Sequence, residues 1–431
     1  MSDAGVNDDP AGVPRVGIIG GGQLARMIAQ AAVSLGVEVS TLADASDEGV
    51  HGVFASVTTG SPDDPDAIAA FADGVDVVTF DHENVDWGAL EDVVAAGVAV
   101  RPGPDTLRFA DKAHQRERLA RAGCPVPPFE IIDPAGTGIN GPATAGQSAT
   151  EVARRFADIH GPLVIAKASR GGYDGRAVFA LDGADALVDF VVEWTGAPLV
   201  LEPALNLAAE VAVVTARRPG GQHATYPVLE TIQRNGMCNE VVVPARLDES
   251  ILERARQVGE EVALVAEAVG IIAVELFITT DGDVLVNEIA PRVHNSGHVT
   301  ADACVTGQFE QHLRAVLDLP LGDVSLRTPA AAMVNVVGAR GSSDEGAPEP
   351  RSRLATGMAV DPAAKVHLYA KTPKAGAQNR PRHRLRRRCR SSPRSGHCGG
   401  PGARRARPCP TMTFSNPLRP ELNRPETSRT T

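Results

Sequence analysis

Two glutamates set out the chemistry that this sequence can do. Glu275 and Glu288 lie on either side of Asp281-Gly282, between the runs IIAVELFITT and VLVNEIAPR. Asp-Gly between two apolar, alternating runs is a strong hairpin signal. A two-residue turn there places Glu275 directly opposite Glu288, with Cβ atoms about 4.5–5.5 Å apart. Carboxylates that close repel each other unless a cation sits between them. Magnesium suits the position, because it commonly joins one or two carboxylates to substrate phosphates. Asn287 points to the other face in this register, unless a bulge at the strand end turns its amide. The competing reading is a solvated pair on an open face.

Three further clusters carry polar or glycine-rich chemistry. In LVIAKASRGGYDGRAVFA, Lys167 ends an apolar strand, and Gly171, Gly172 and Gly175 let the following loop close over a phosphate. A plain solvated turn is the alternative. In VGIIGGGQLARM a strand runs into a glycine turn that opens a helix, a natural phosphate site. Gly20-x-Gly22-x-x-Ala25, with Asp44 about 20 residues on, also fits a dinucleotide fingerprint. The segment APRVHNSGH is dense in donors: Arg292, His294, Asn295, Ser296 and His298. Histidines four apart in a Ser/Gly/Asn loop suit an anion site better than zinc.

The elements that must position these residues alternate in kind. Up to residue 110, Val/Ile-rich runs (16–19, 37–42, 75–80, 98–101) alternate with Ala-rich helical stretches (23–35, 67–72, 90–96), the pattern of a parallel sheet with crossover helices. A helix at 111–122 and a Gly/Pro/Ser-rich connecting loop follow. From residue 151 the order helix, strand, glycine loop, strand, helix, strand describes a separate α+β region, continued by strands at 210–218 and 224–234. An amphipathic helix at 252–269 precedes the hairpin. After a helix at 308–317, the runs AAMVNVVG and KVHLYAKT suggest a small terminal β unit.

The chain of 431 residues, 43% of them apolar, is long enough for two to four domains. No basic leader and no apolar run of about 18 residues is present, so a soluble cytoplasmic protein with no membrane contact is expected. The six cysteines form no Cys-x-x-Cys pair, which argues against disulfide frameworks and zinc. The formal charge of -11 is uneven: residues from Lys374 onward carry 15 Lys and Arg against 2 Asp and Glu, which leaves the rest at -24. An acidic body makes nucleic acid an unlikely ligand except through that tail.

Lys167, the RGGYDGR loop, Glu202, Glu210 and the Glu275…Asn287-Glu288 hairpin occur in an order that resembles the ATP-grasp superfamily. Within it, GGGQLARM, TFDHENV, GGYDGR and NEIAPRVHNSGH together resemble the 5-(carboxyamino)imidazole ribonucleotide synthase family over about residues 14 to 373. The resemblance implies a mixed α/β and α+β architecture, an ATP-grasp fold with a Rossmann-like pre-ATP-grasp domain and the small C-terminal β unit. The divisions are 14–110 for the substrate-binding domain, 111–205 for the lid subdomain with its linker, 206–320 for the metal and nucleotide subdomain, and 321–373 for the β unit.

It also implies roles, residue by residue. Lys112 and Lys167 match basic ATP-binding residues; Gly172, Tyr173, Asp174, Gly175, Arg176, Ala177 and Val178 match the loop over the phosphates. Glu202, Pro203, Ala204 and Leu205 match the linker that meets adenine, Glu210 the ribose-binding acid, and Gln233 a further nucleotide contact. Glu275 and Glu288 match the magnesium ligands, with Asn287 beside them. Gly22, Gln23, Leu24 and Glu83 would meet the ribonucleotide, joined by Arg292, His294, Asn295 and Ser296; Tyr173, Asp174 and Arg176 would do chemistry on it. The implied reaction consumes ATP, bicarbonate and 5-aminoimidazole ribonucleotide, in a homodimer.

The resemblance stops near the end of the chain. Lys371 matches a phosphate-binding lysine, but Ala377 stands where the family pattern has an arginine. Residues 374–431 turn Arg-, Pro- and Ser-rich, which fits a disordered tail, a shifted reading frame or a basic nucleic-acid-binding arm. The rival readings are another ATP-grasp ligase, such as a formate-dependent glycinamide ribonucleotide transformylase, and an inactive nucleotide-binding protein.

Overall fold

The structure, a computed structural model, describes residues 12–134, 148–171, 177–234, 237–335, 354–355, 357–359 and 361–369. Most of the expected connecting loop, Gly172, Tyr173, Asp174, Gly175 and Arg176, Lys371 and the tail from residue 374 lie outside the described residues.

The first layer comprises Arg15–Ile19 (β1), Gln23–Leu35 (α1), Glu38–Ala43 (β2), Ser56–Thr59 (β3), Pro65–Ala72 (α2), Val77–Phe80 (β4), Trp87–Ala95 (α3) and Ala99–Val100 (β5). Its strands are parallel in the order β3-β2-β1-β4-β5. Val16, Ile18, Ile19, Leu42, Val77, Val78 and Phe80 are buried, as a parallel sheet covered on both faces requires. Local signals set the helix ends. Pro65 opens α2 under the Asp64 side chain, and Gly36 closes α1 with φ 65. Strand order reverses between β1 and β4, so the crevice at their carboxyl ends, flanked by residues 20–22 and 81–83, is the ligand position of such a sheet. β3 escaped the sequence reading because Ser-Val-Thr-Thr is exposed at every position.

Pro104–Leu107 (α4) and Lys112–Arg121 (α5) lead out of this layer, α5 being capped by the Asp111 carboxylate on Ala113 and His114 N–H. Glu130–Ile132 (β6), Ala149–His160 (α6), Leu163–Ala168 (β7), Val178–Asp182 (β8), Ala184–Glu193 (α7) and Leu199–Pro203 (β9) then form an antiparallel sheet, β6-β9-β7-β8. A Ser148/Glu151 capping box starts α6, whose Val152 and Phe156 pack with Val164, Ala166, Leu187 and Leu201.

The remaining elements are Leu207–Arg217 (β10), His223–Thr225 (β11), Leu229–Arg234 (β12), Met237–Val243 (β13), Glu249–Val265 (α8), Gly270–Thr279 (β14), Val284–Ala290 (β15), Thr300–Ala303 (α9), Gln308–Val316 (α10) and Ala331–Val334 (β16). They build a large antiparallel sheet, β15-β14-β10-β12-β13-β16, with β11 paired to β10. Helix α8 covers one face through Val258 and Val262 against Val213 and Val274. The other face shares one core with the first layer: Ile18 and Ile28 join Val214, Ile271, Phe309 and Leu313. This shared core seats the opening of α1 beside the end of β15.

Three expectations need correction. Residues 224–234 are two strands, because Pro227 has no N–H with which to continue a ladder. β13 was absent from the reading. The terminal β unit does not stand apart among the described residues: β16 is an edge strand of the large sheet, paired with β13, and residues 365–369 form no strand. Among the described residues, no helix is long and apolar enough to cross a membrane.

Candidate active site

The two glutamates face each other, by a route that differs from the expected one. Thr279 N donates to Asp283 O and Gly282 N to Thr279 O, both at 3.0 Å, so the hairpin loop has three residues, with Gly282 at φ 88. The pairs next to it, Ile278 with Val284 and Leu276 with Val286, are one residue out of the two-residue register. Asn287 is an extra residue in β15, and beyond this bulge Glu275 pairs with Glu288. The bulge also turns the Asn287 amide, whose Oδ1 accepts from Lys167 Nζ at 3.0 Å.

The pair is electrostatically unequal. Burial pushes Glu288 up, but Lys112 Nζ at 2.8 Å holds it below the usual carboxylate range. Burial, Glu288 and Glu210 push Glu275 up to about 8. Among the described residues, no group of three or more His, Cys, Asp or Glu gathers as a metal cluster. Two opposed carboxylates with an amide oxygen nearby fit a hard cation that completes its shell with phosphate oxygens and water, which is the habit of magnesium.

Behind this pair lies a buried ionic chain. Lys167 Nζ is 2.7 Å from Glu202 Oε2, and Arg116 donates to Glu202 Oε1 at 2.6 Å and to Asn287 O at 2.7 Å. Burial pushes Glu202 up, yet Arg116 and Lys167 together hold it below the usual range. Burial lowers Lys167, and Glu202 opposes that shift. Arg116 was not singled out from the sequence. Its signal was there: it follows Lys112 by four residues on an Asp-capped helix, so both cations leave one face of α5. With its carboxylate so committed, Glu202 can offer a nucleotide only main-chain groups, in company with Pro203, Ala204 and Leu205 at the end of β9. Ala177 and Val178 enter β8 beside Lys167, which pairs with Val178.

Glu210 lies in β10 opposite Thr231 and Phe277, at a pocket of ≈ 270 Å³ lined also by Leu207 and Glu230. Burial raises its pKa, with Lys167 opposing. Gln233 sits in β12 opposite Cys238, beside a register shift.

Of the residues expected to meet the ribonucleotide, Glu83 and Arg292 come together at the crevice of the first sheet. Arg292, just past β15, forms a two-pronged ion pair with Glu83, just past β4. Burial pushes Glu83 up, but Arg292 keeps it below the usual range. His294 Nε2 lies 3.6 Å from Glu275 Oε1, and its Nδ1 is 2.8 Å from Ser296 Oγ. Burial and Arg292 lower His294 to about 4, so the ring is neutral. Ser296 is fully buried, which makes it the support of His294. The Gln308 amide clamps the backbone of His294 from both sides, and Asn295 Oδ1 accepts from Asn335 at 3.2 Å. Gln23 Nε2 reaches His298 Nε2 at 3.5 Å, and Tyr369 stacks on the same ring with centroids 5.8 Å apart. Leu24 is buried in the core, and the Gly22 N–H is taken by Asp81. Asp81 thus occupies part of the helix end on which a dinucleotide reading of the first glycine turn would rest.

Two family models match successive parts of the chain. Residues 13–111 match the ribonucleotide synthetase preATP-grasp domain and residues 118–309 the ATP-grasp domain. Fold and site thus define an ATP-grasp ligase. The chain is 44% identical over 368 residues to N5-carboxyaminoimidazole ribonucleotide synthase of Mycobacterium bovis, across 84% of this chain and 81% of that protein. Among solved structures it is similar to the N5-carboxyaminoimidazole ribonucleotide synthetase of Thermotoga maritima (TM-score 0.66, 34% identity, 76% of this chain and 82% of that one). It is also similar to the Aspergillus clavatus synthase in complex with ADP and 5-aminoimidazole ribonucleotide (TM-score 0.71, 29% identity, 84% and 91%). The chain belongs to the N5-carboxyaminoimidazole ribonucleotide synthase family.

Proposed function

We propose that this protein carboxylates the exocyclic amine of 5-aminoimidazole ribonucleotide, consuming ATP and bicarbonate and releasing ADP and phosphate, as a step of de novo purine synthesis. The observation that carries the reading is the junction of the two halves of the site. Glu83 and Arg292 tie the ribonucleotide crevice to the strand that bears Asn287 and Glu288.

Bicarbonate is a poor electrophile, because hydroxide would have to leave. Transfer of the γ-phosphoryl group to it gives carboxyphosphate, from which phosphate leaves readily as the amine attacks. Lys112 and Lys167 offset charge on the phosphates, and Glu275 and Glu288 would hold magnesium, which would neutralise the developing charge in the transfer. Arg292 and the neutral His294 offer donors for the bicarbonate oxygens beside the carboxylate pair. Glu210 takes the ribose hydroxyls, and the main chain of residues 202–205 meets adenine. Gln23 and Glu83 orient the ribonucleotide. The phosphate-loop residues and Lys371 keep the roles that the resemblance implies, Asp174 accepting a proton from the amine. A homodimer in the cytoplasm is part of the same proposal.

Bicarbonate labelled with ¹⁸O tests the chemistry. Each phosphate released in the presence of the ribonucleotide should carry one ¹⁸O atom; unlabelled phosphate with full product formation would mean that no carboxyphosphate forms.

A further inference from the structure

A helix that opens at the carboxyl end of a parallel strand usually leaves N–H groups free for an anion. In α1 part of that place is taken from inside the protein. Asp47 Oδ2 accepts from Gly21 N and from Asp44 N, each at 3.2 Å. Asp81 Oδ2 accepts from Gly22 N and, at 3.4 Å, from Ala25 N. Gly20 N donates to Leu42 O and Gly20 O receives the Thr41 hydroxyl, both at 2.8 Å. Gly22 has an ordinary φ of -81, so its backbone conformation does not require glycine. A Cβ at Gly22 would lie 2.5 Å from Asp81 Oδ2. The missing side chain is what admits the aspartate.

We infer that Asp81 is a positioning residue. It occupies the anion place at the start of α1, fixes the turn so that Gln23 faces the ribonucleotide, and bars the substrate phosphate from that helix end. The inference rests on the reading that this turn faces the ribonucleotide. Asp81 is buried at the end of β4, two residues before Glu83, so one strand end both braces the turn and engages Arg292. The substrate phosphate must then bind away from this turn, unlike a dinucleotide pyrophosphate on a similar sheet.

The test is calorimetric titration of the full chain and its Asp81→Ala, Asp81→Asn and Gly22→Ala variants with inorganic phosphate, 5-aminoimidazole ribonucleotide and ADP, with circular dichroism as a check of fold. Asp81→Ala should gain phosphate binding that competes with the ribonucleotide, and its ribonucleotide Kd should rise about tenfold while the ADP Kd stays within about twofold. Asp81→Asn keeps an acceptor and should recover most of the affinity. Gly22→Ala should weaken the ribonucleotide alone, without gaining phosphate. A folded Asp81→Ala with unchanged ribonucleotide affinity and no new phosphate binding overturns the inference, and so does a parallel loss of ADP affinity. If Asp81→Ala does not fold, an unaltered ribonucleotide Kd in folded Gly22→Ala overturns it equally. Should the unsubstituted chain bind no ribonucleotide, the functional reading fails, and gain or no gain of phosphate binding in Asp81→Ala still decides the role of Asp81.

Discussion

Arg116 donates to Glu202 at 2.6 Å in a setting where the two side chains are only 2% and 3% exposed. Taking either partner away strands a charge. Arg116→Met should therefore cost about 3–5 kcal/mol of stability, the usual loss when one side of a buried pair is removed. Because Lys167 remains on Glu202, the lower end is expected. Urea unfolding of the variant checks this, and a cost below about 1 kcal/mol would show that the ionic chain is not structural.

Glu288→Gln separates stability from turnover. The substitution keeps the shape and relieves the repulsion of Glu275, but it also takes from Lys112 the carboxylate charge held at 2.8 Å, so the unfolding midpoint should fall only slightly. Magnesium-dependent turnover should fall on the order of a hundredfold or more, since several kcal/mol of charge stabilisation at the transferring phosphoryl are lost. Full magnesium-dependent turnover would remove Glu288 from the metal site.

A buried histidine makes stability depend on acid. His312 accepts from Ile271 N at 3.0 Å and contacts the Thr79 hydroxyl at 2.8 Å, joining the large sheet to the first one. Burial lowers it to about 4 from an ordinary value of 6.5. The unfolded chain takes up this proton at higher pH than the folded one. The contribution is thus complete above about pH 6.5, shrinks as pH falls, and is gone below the folded value, a total of about 3 kcal/mol from this one group. Unfolding free energies between pH 7 and 4 should fall less steeply in His312→Gln than in the parent; equal slopes would contradict the assignment.

Gly259 lies within α8, where alanine would ordinarily gain about 1 kcal/mol. Here a Cβ would lie 2.4 Å from Val213 Cγ1 and 2.6 Å from Val213 Cβ. Val213 Cβ is fixed to the β10 backbone and cannot swing away. Gly259→Ala should destabilise by about 1–3 kcal/mol, read by denaturant unfolding, and any stabilisation would show that helix and sheet separate easily.

Much of this was legible in the sequence because it rests on local rules. Alternating patterns gave the parallel first layer, and the helices expected from residues 111 and 151 are found with starts at Lys112 and Ala149, capped by Asp111 and Ser148. The Glu275–Glu288 pairing was reached through two errors that cancel, a loop one residue longer than assumed and a bulge at Asn287. Neither irregularity leaves a local mark, since each is settled by how the strands pack. Asp81 was missed for the same reason, its partner Gly22 lying 59 residues away, whereas the spacing of Arg116 from Lys112 was a local signal and only its partner Glu202, 86 residues away, was hidden. β3 and β13 take their places as partners of stronger strands, not through patterns of their own.

ADP release from the purified protein decides whether it is a ligase acting on aminoimidazole ribonucleotide with bicarbonate. ADP formation should require magnesium, bicarbonate and 5-aminoimidazole ribonucleotide together. ADP release that instead requires formate and glycinamide ribonucleotide, or nucleotide binding without turnover, would contradict it.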